Sequence, residues 1–187
     1  MAPQKHRKIC VMGSRAVGKS TITVQFVDNH APDAYHPTIE NTYQKLIKHQ
    51  GQDYSIEIID TAGQDEYSIL QKQYSIGIHG YILVYSVTSA SSLEVVKVLN
   101  DKILNSLGME QIPRVLVGNK SDLTGERNIS KEAGQSLANE WECAFIECSG
   151  KNNINVEEVF KLILNEVNKG FQPPSNDPPP KEGCILM

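Results

Sequence analysis

The sequence predicts an α/β fold, a mostly parallel sheet with helices on both faces. Three observations carry this. Apolar runs recur at Ile9-Cys10-Val11-Met12, Tyr81-Ile82-Leu83-Val84-Tyr85-Ser86-Val87 and Val115-Leu116-Val117, as strands buried on both faces read. Segments with helical spacing separate the runs. Between the first run and a helical stretch from Ser20 to Val27 lies Gly13-Ser14-Arg15-Ala16-Val17-Gly18-Lys19-Ser20, a G-x-x-x-x-G-K-S phosphate loop in its expected strand–loop–helix setting.

Along the chain, Tyr54, Ile56 and Ile58 alternate as a half-buried strand after a turn at Gln50-Gly51. Leu93, Val96, Ile103 and Leu107 recur near helical spacing, and Ala144-Phe145-Ile146 reads as a last short strand. Asn155, with Glu158 three residues on, predicts a capping box. The helix it opens carries an apolar stripe of Val156, Val159, Phe160, Ile163, Leu164 and Val167. After Gly170 the composition turns to proline and glycine, so residues 171–187 are expected to form a semi-extended spacer behind one folded domain of residues 5–170.

The chain has 187 residues, 40% of them hydrophobic, which is one domain's worth with a sizeable core. A net charge of −4 gives no reason to expect a nucleic-acid partner. Four cysteines, Cys10, Cys143, Cys148 and Cys184, lack metal-ligand spacing, and a reducing intracellular compartment is expected. No stretch reads as a signal peptide or membrane span, and Ala2 stands where N-myristoylation needs glycine.

The phosphate loop supplies inward-facing N–H groups and a helix N-terminus for an anion. Lys19 adds a cation for the outer phosphates and Ser20 a hydroxyl for Mg²⁺. Asp60-Thr61-Ala62-Gly63-Gln64 ends a strand: the carboxylate suits Mg²⁺, Gly63 lets a backbone N–H approach a terminal phosphate, and Gln64 suits orienting water. Asn119-Lys120-Ser121-Asp122 follows the third apolar run, where a carboxylate pairs with the N1–H and amine of guanine but finds no match on adenine. Cys148-Ser149-Gly150-Lys151 presents N–H groups toward a base oxygen, although alone it reads equally as a plain loop. Thr38 sits in an irregular polar segment, positioned to reach Mg²⁺.

These segments, in this order and spacing, resemble the Ras superfamily of small GTPases across residues 6–170. Arg15, Pro37-Thr38-Ile39-Glu40-Asn41-Thr42, Asp60 through Ile69 and Gly80 through Ser89 resemble its Rheb branch. The resemblance implies a Ras-like G domain with a six-stranded sheet, binding GTP or GDP with Mg²⁺. By it the phosphates fall to Arg15, Ala16, Val17, Gly18, Lys19, Ser20 and Thr21, with Tyr35 over the terminal one. Mg²⁺ falls to Ser20, Thr38 and Asp60, the γ-phosphate to Gly63, and guanine to Asn119, Lys120, Asp122, Ser149 and Gly150. Tyr35, His36, Pro37, Thr38, Ile39, Glu40, Asn41, Thr42 and Tyr43 form the implied effector region. Two positions depart from the family pattern: His36 replaces an acid, and Gly150 replaces alanine.

The same resemblance implies a monomeric switch whose GTP form signals to the TOR kinase complex and whose GDP form is restored by a tuberin-type GAP. Cys184-Ile185-Leu186-Met187 reads as a C-a-a-X box for a protein prenyltransferase, with Met favouring farnesyl. One prenyl chain without a polybasic patch anchors reversibly, so internal membranes (lysosome or vacuole, ER, Golgi) with a cytosolic pool are expected. Arg15 stands where Ras-like loops usually carry glycine and crowds both Gln64 and an incoming arginine finger, while Tyr35 hinders an attacking water, so slow hydrolysis is expected. Two alternatives stand beside the hydrolysing switch. One is a nearly inactive, constitutively GTP-loaded binding module. The other is a different phosphate-loop class such as an ATPase or nucleotide kinase, against which the Asn119–Asp122 motif argues.

Overall fold

The computed structural model describes residues 4–32 and 37–170. Its order is β1 (Lys5–Gly13), α1 (Lys19–Asp28), β2 (Glu40–His49), β3 (Gln52–Thr61), β4 (Gly80–Ser86), α2 (Ala90–Leu107), β5 (Arg114–Asn119), α3 (Lys131–Glu140), β6 (Ala144–Glu147) and α4 (Val156–Gly170), with 3-10 turns at Lys72–Tyr74 and Thr124–Glu126. The six strands form one sheet in the order β2-β3-β1-β4-β5-β6. Only β2 and β3 pair antiparallel, across the Gln50-Gly51 hairpin; every other pairing is parallel.

The apolar runs lie where two-sided burial demands them: β4 and β5 are buried at every position. Alternate residues of the central strands feed two cores. Ile9, Val11, Ile56 and Ile58 meet Ile22 and Phe26 of α1 and Phe160, Ile163 and Val167 of α4 on one face. Cys10, Met12 and Leu83 meet Leu93, Val96 and Ile103 of α2 and Leu137 of α3 on the other. Phe26 stacks on Phe160 at 3.8 Å between ring centroids, tying α1 to α4. The described cysteines are free thiols.

Several details differ from the sequence reading. β2 begins at Glu40, inside the segment read as irregular; only its alternate residues Tyr43, Lys45, Ile47 and His49 turn partly inward. Helix α3 was not legible because it buries only Gly134, Leu137 and Ala138; its clearest signal is the Ser130 hydroxyl, which caps it by accepting the Ala133 N–H at 3.2 Å. The capping box at α4 does not form. Asn155 takes φ +58° and donates its amide to Glu147 O at 2.9 Å, while Glu158 pairs with Lys161.

The edge of β1 carries a pH-sensitive contact. His79 Nδ1 accepts the Lys8 N–H at 3.0 Å, and burial, with help from Arg7 and His6, holds its pKa below the ordinary 6.5. As pH falls, the unfolded chain takes up this proton before the folded one, so stability declines below about pH 6.5. We expect the unfolding midpoint to fall between about pH 7 and about pH 5, and His79→Gln to flatten that slope. An unaltered slope in thermal melts of the variant would contradict this.

Candidate functional site: a phosphate-loop cavity

A cavity of about 950 Å³ opens at the carboxyl ends of the parallel strands. Arg15, Ala16, Gly18, Lys19, Ser20 and Thr21 line it on one side, Pro37 through Asn41 and Tyr43 on another, with Thr61, Gly63 and Lys120 closing it. A second cavity of about 710 Å³ is lined by Gln50, Cys143, Leu162 and Glu166 among others and shares no lining residue with the first.

The loop follows directly from β1. Ala16 has φ +58° and Gly18 φ +94°, so the backbone reverses and curls before α1 starts. A side chain at Gly18 would also strike the Asn119 amide, 2.2 Å from an ideal Cβ. Lys19 is 6% exposed and lies inside the loop, its ammonium donating to Gly13 O at 3.1 Å and Ser14 O at 2.9 Å. Burial pulls its pKa down to about 8, against the opposing charge of Asp60. A phosphate beside Lys19 would favour its charged form.

The donor set for a cation is equally specific. Ser20 Oγ and Thr38 Oγ1 are 2.8 Å apart. Asp60 is fully buried, and neither carboxylate oxygen has a hydrogen-bond partner. Burial raises its pKa, opposed by the nearby Ser20 hydroxyl and Lys19 ammonium. An orphaned buried carboxylate is costly unless something answers it. Two hydroxyls and a carboxylate are hard oxygen donors, few in number, which suits Mg²⁺ shared with phosphate oxygens. No group of three His, Cys, Asp or Glu side chains gathers among the described residues, so the set does not resemble a transition-metal site.

At the other end, Asn119 acts as a staple. Its amide donates to Val17 O at 2.8 Å, and its oxygen accepts the Gly150 N–H at 3.0 Å. It thereby joins the phosphate loop to the loop after β6. Lys120 has φ +65°, and Asp122 is half-buried on the same turn. Ser149 is fully buried; its N–H donates to Ile154 O at 3.0 Å, and its hydroxyl accepts the Asn152 N–H at 3.1 Å. The N–H groups of Ser149 and Gly150 are thus engaged within the protein rather than turned toward a base oxygen.

Gln64 is the chief surprise. It is 8% exposed, its N–H donates to Gly13 O at 3.1 Å, and it bridges Ser14 as a strand would. Its side-chain amide turns back to Ala62 O at 3.2 Å. Arg15 and Gly63, its neighbours in space and in sequence, form part of the cavity wall. Arg15 packs so tightly on Gly63 that an ideal Cβ there would lie 2.3 Å from Arg15 Cγ. Sequence reading also missed a latch behind the effector segment, where Glu40 accepts hydrogen bonds from Tyr74 at 2.5 Å and Gln73 at 2.8 Å. Tyr35, His36 and the box around Cys184 lie outside the described residues.

Comparison with known proteins agrees with this geometry. The Ras family model matches residues 8–169. The chain is 83% identical, over the full length of both, to a protein named GTP-binding protein Rheb homolog from Dictyostelium discoideum. It is 56% identical to GTP-binding protein rhb1 of Schizosaccharomyces pombe, again over the whole of both chains. To human GTP-binding protein Rheb it is 54% identical over 169 residues, 90% of this chain and 92% of that one. A strand-end phosphate loop, an oxygen donor set beside it and this breadth of similarity lead to one conclusion: the chain belongs to the Ras family, in its Rheb branch, and is a GTP-binding GTPase.

Proposed function

We propose that this GTPase is a Mg²⁺-dependent, slowly hydrolysing switch, farnesylated at Cys184, whose GTP form signals to the TOR kinase complex in growth control. The observation that carries the switch reading is the orphaned Asp60 carboxylate beside the Ser20–Thr38 hydroxyl pair. That set fits a cation only when a phosphate shares it, so Thr38 and the segment after it answer to whether a third phosphate is present. In this reading Arg15 through Thr21 cradle the phosphates, Ser20, Thr38 and Asp60 hold Mg²⁺, and Gly63 meets the γ-phosphate. Mg²⁺ held by Ser20, Thr38 and Asp60 would supply positive charge for the phosphate oxygens. Asn119, Lys120 and Asp122 take the base, with Ser149 and Gly150 shaping its wall.

The position of Gln64 supports slow hydrolysis. A buried side chain whose amide is spent on Ala62 O is not held toward a water beyond the terminal phosphate. A tuberin-type GAP therefore supplies its own water-positioning group, since Arg15 against Gly63 crowds an arginine finger. Residues 5–170 form the G domain, and residues 171–187 link it to the lipid. No helix among the described residues is long and apolar enough to cross a membrane, so a lipid at Cys184 is the proposed anchor to the cytoplasmic face of endomembranes.

The test uses full-length protein in cells. GTP-loaded protein should raise TOR-complex kinase activity and the GDP-loaded form should not. Cys184→Ser should move the protein from membranes to cytosol with GTP affinity unchanged. Equal kinase activity with both nucleotides would refute the signalling reading; membrane retention of the variant would refute the lipid anchor.

A further inference from the structure

The segment after Gln64 has a tether that no motif announces. Lys102, half-buried on α2, donates from Nζ to Glu66 O at 2.7 Å and to Ser68 O at 2.8 Å. Both bonds are charge-assisted and short. The segment they hold is already folded on itself. Asp65 accepts the Tyr67 N–H at 3.0 Å and the Ser68 hydroxyl at 2.8 Å, and Ser68 Oγ accepts the Asp65 N–H at 3.0 Å. On one side, Gln64 is sewn to Gly13; on the other, Tyr74 is latched to Glu40. Among the described residues, Lys102 makes the hydrogen bonds that fasten the turn between them to a helix of the body. The carbonyls of Glu66 and Ser68 are directed at α2, which leaves Tyr67 and Ile69 87% and 88% exposed.

We propose that Lys102 is a positioning residue for hydrolysis: by clamping the Asp65–Ser68 turn to α2, it keeps Gln64 against Gly13 and Ala62 and out of the nucleotide cavity. The proposal rests on the reading that hydrolysis is slow because Gln64 is off the site. Gln64 is separated from Glu66 by one residue, so a turn pinned at Glu66 and Ser68 restricts how far the Gln64 backbone can move from Gly13. Releasing the pin gives residues 64–69 freedom to sample a trace in which the Gln64 amide faces a water beyond the terminal phosphate. The clamp and Gln64 are then coupled, although 38 positions separate them in sequence (102 − 64).

The test is single-turnover GTP hydrolysis by full-length protein carrying Lys102→Met, Lys102→Arg, and Lys102→Met with Gln64→Leu. Lys102→Met should speed hydrolysis by about tenfold, the size expected of a coupling residue without substrate contact. Lys102→Arg, which keeps charged donors over both carbonyls, should stay near wild type. The double variant should lose the gain, because the gain is delivered by Gln64. A general loosening of the fold would not be erased by Gln64→Leu, so that cycle separates positioning from mere stability. Should Lys102→Met fail to hold nucleotide, Lys102→Gln, which keeps a neutral donor, takes its place. A Lys102→Met rate equal to or below wild type, or a double variant that keeps the gain, would overturn the proposal. Gln64→Leu alone reports on the reading beneath it: a hundredfold or greater loss there overturns slow, Gln64-independent hydrolysis whatever Lys102 does.

Discussion

Asp122→Asn should shift base preference from guanine toward xanthine nucleotides by on the order of a thousandfold. The carboxylate presents two acceptors to the N1–H and amine of guanine. An amide at the same place keeps one acceptor and offers an N–H₂ donor, which the guanine amine opposes and the xanthine carbonyl accepts. A site built to pair a polar group discriminates strongly because the mismatched partner leaves that group desolvated and unpaired. The half-buried setting of Asp122, one turn beyond the Asn119 staple, suits this role. Competition binding with GDP and XDP measures it directly, and unchanged affinities for both would place Asp122 off the base.

Ser20→Asn carries the second large effect. The Ser20 hydroxyl is 2.8 Å from Thr38 and beside the orphaned Asp60 carboxylate, so asparagine puts a bulkier amide into the gap a cation needs. GTP·Mg²⁺ affinity should fall by about a hundredfold more than GDP affinity, because losing a ligand costs at least as much as losing a supporting contact. Thr38 loses its hydroxyl partner at the same time, which separates the effector segment from the phosphate end. Titration of both nucleotides at fixed Mg²⁺ reads the ratio; equal losses for GTP and GDP would contradict the metal assignment.

Much of the fold was legible because its signals are local. The β4 and β5 runs, the phosphate loop between β1 and α1, and the stripe on α4 each announce themselves within a dozen residues. Weak elements failed for a physical reason. Helix α3 buries three small or medium residues, and β2 is polar on its outer face, so neither shows a strong period. Asn155 misled because it takes a left-handed φ of +58° rather than the extended backbone of a capping residue, with its amide donating to Glu147 O.

In the site, residue types were readable but their partners were not. Asn119 stands in a motif that suggests base contact, yet its amide bonds Val17, 102 positions away. The orphan state of Asp60 is a property of the packed fold and has no local signature. Gln64 illustrates the limit best. Its motif suggests a water-orienting group, while its backbone N–H is held by Gly13 on β1 and its side-chain amide donates to Ala62 O two residues back. The motif names the residue type but not which of these bonds the folded chain makes.

Slow hydrolysis turns on where the Gln64 side chain lies. Single-turnover hydrolysis of GTP by wild-type protein and Gln64→Leu, each preloaded with GTP and Mg²⁺ and followed without a GAP, tests it most directly. A slow wild type is expected, with a change of less than about fivefold on losing the glutamine, which is under about 1 kcal/mol of barrier. A fast wild type whose rate falls a hundredfold or more in Gln64→Leu, about 2.7 kcal/mol, would show Gln64 orienting the water and would contradict it.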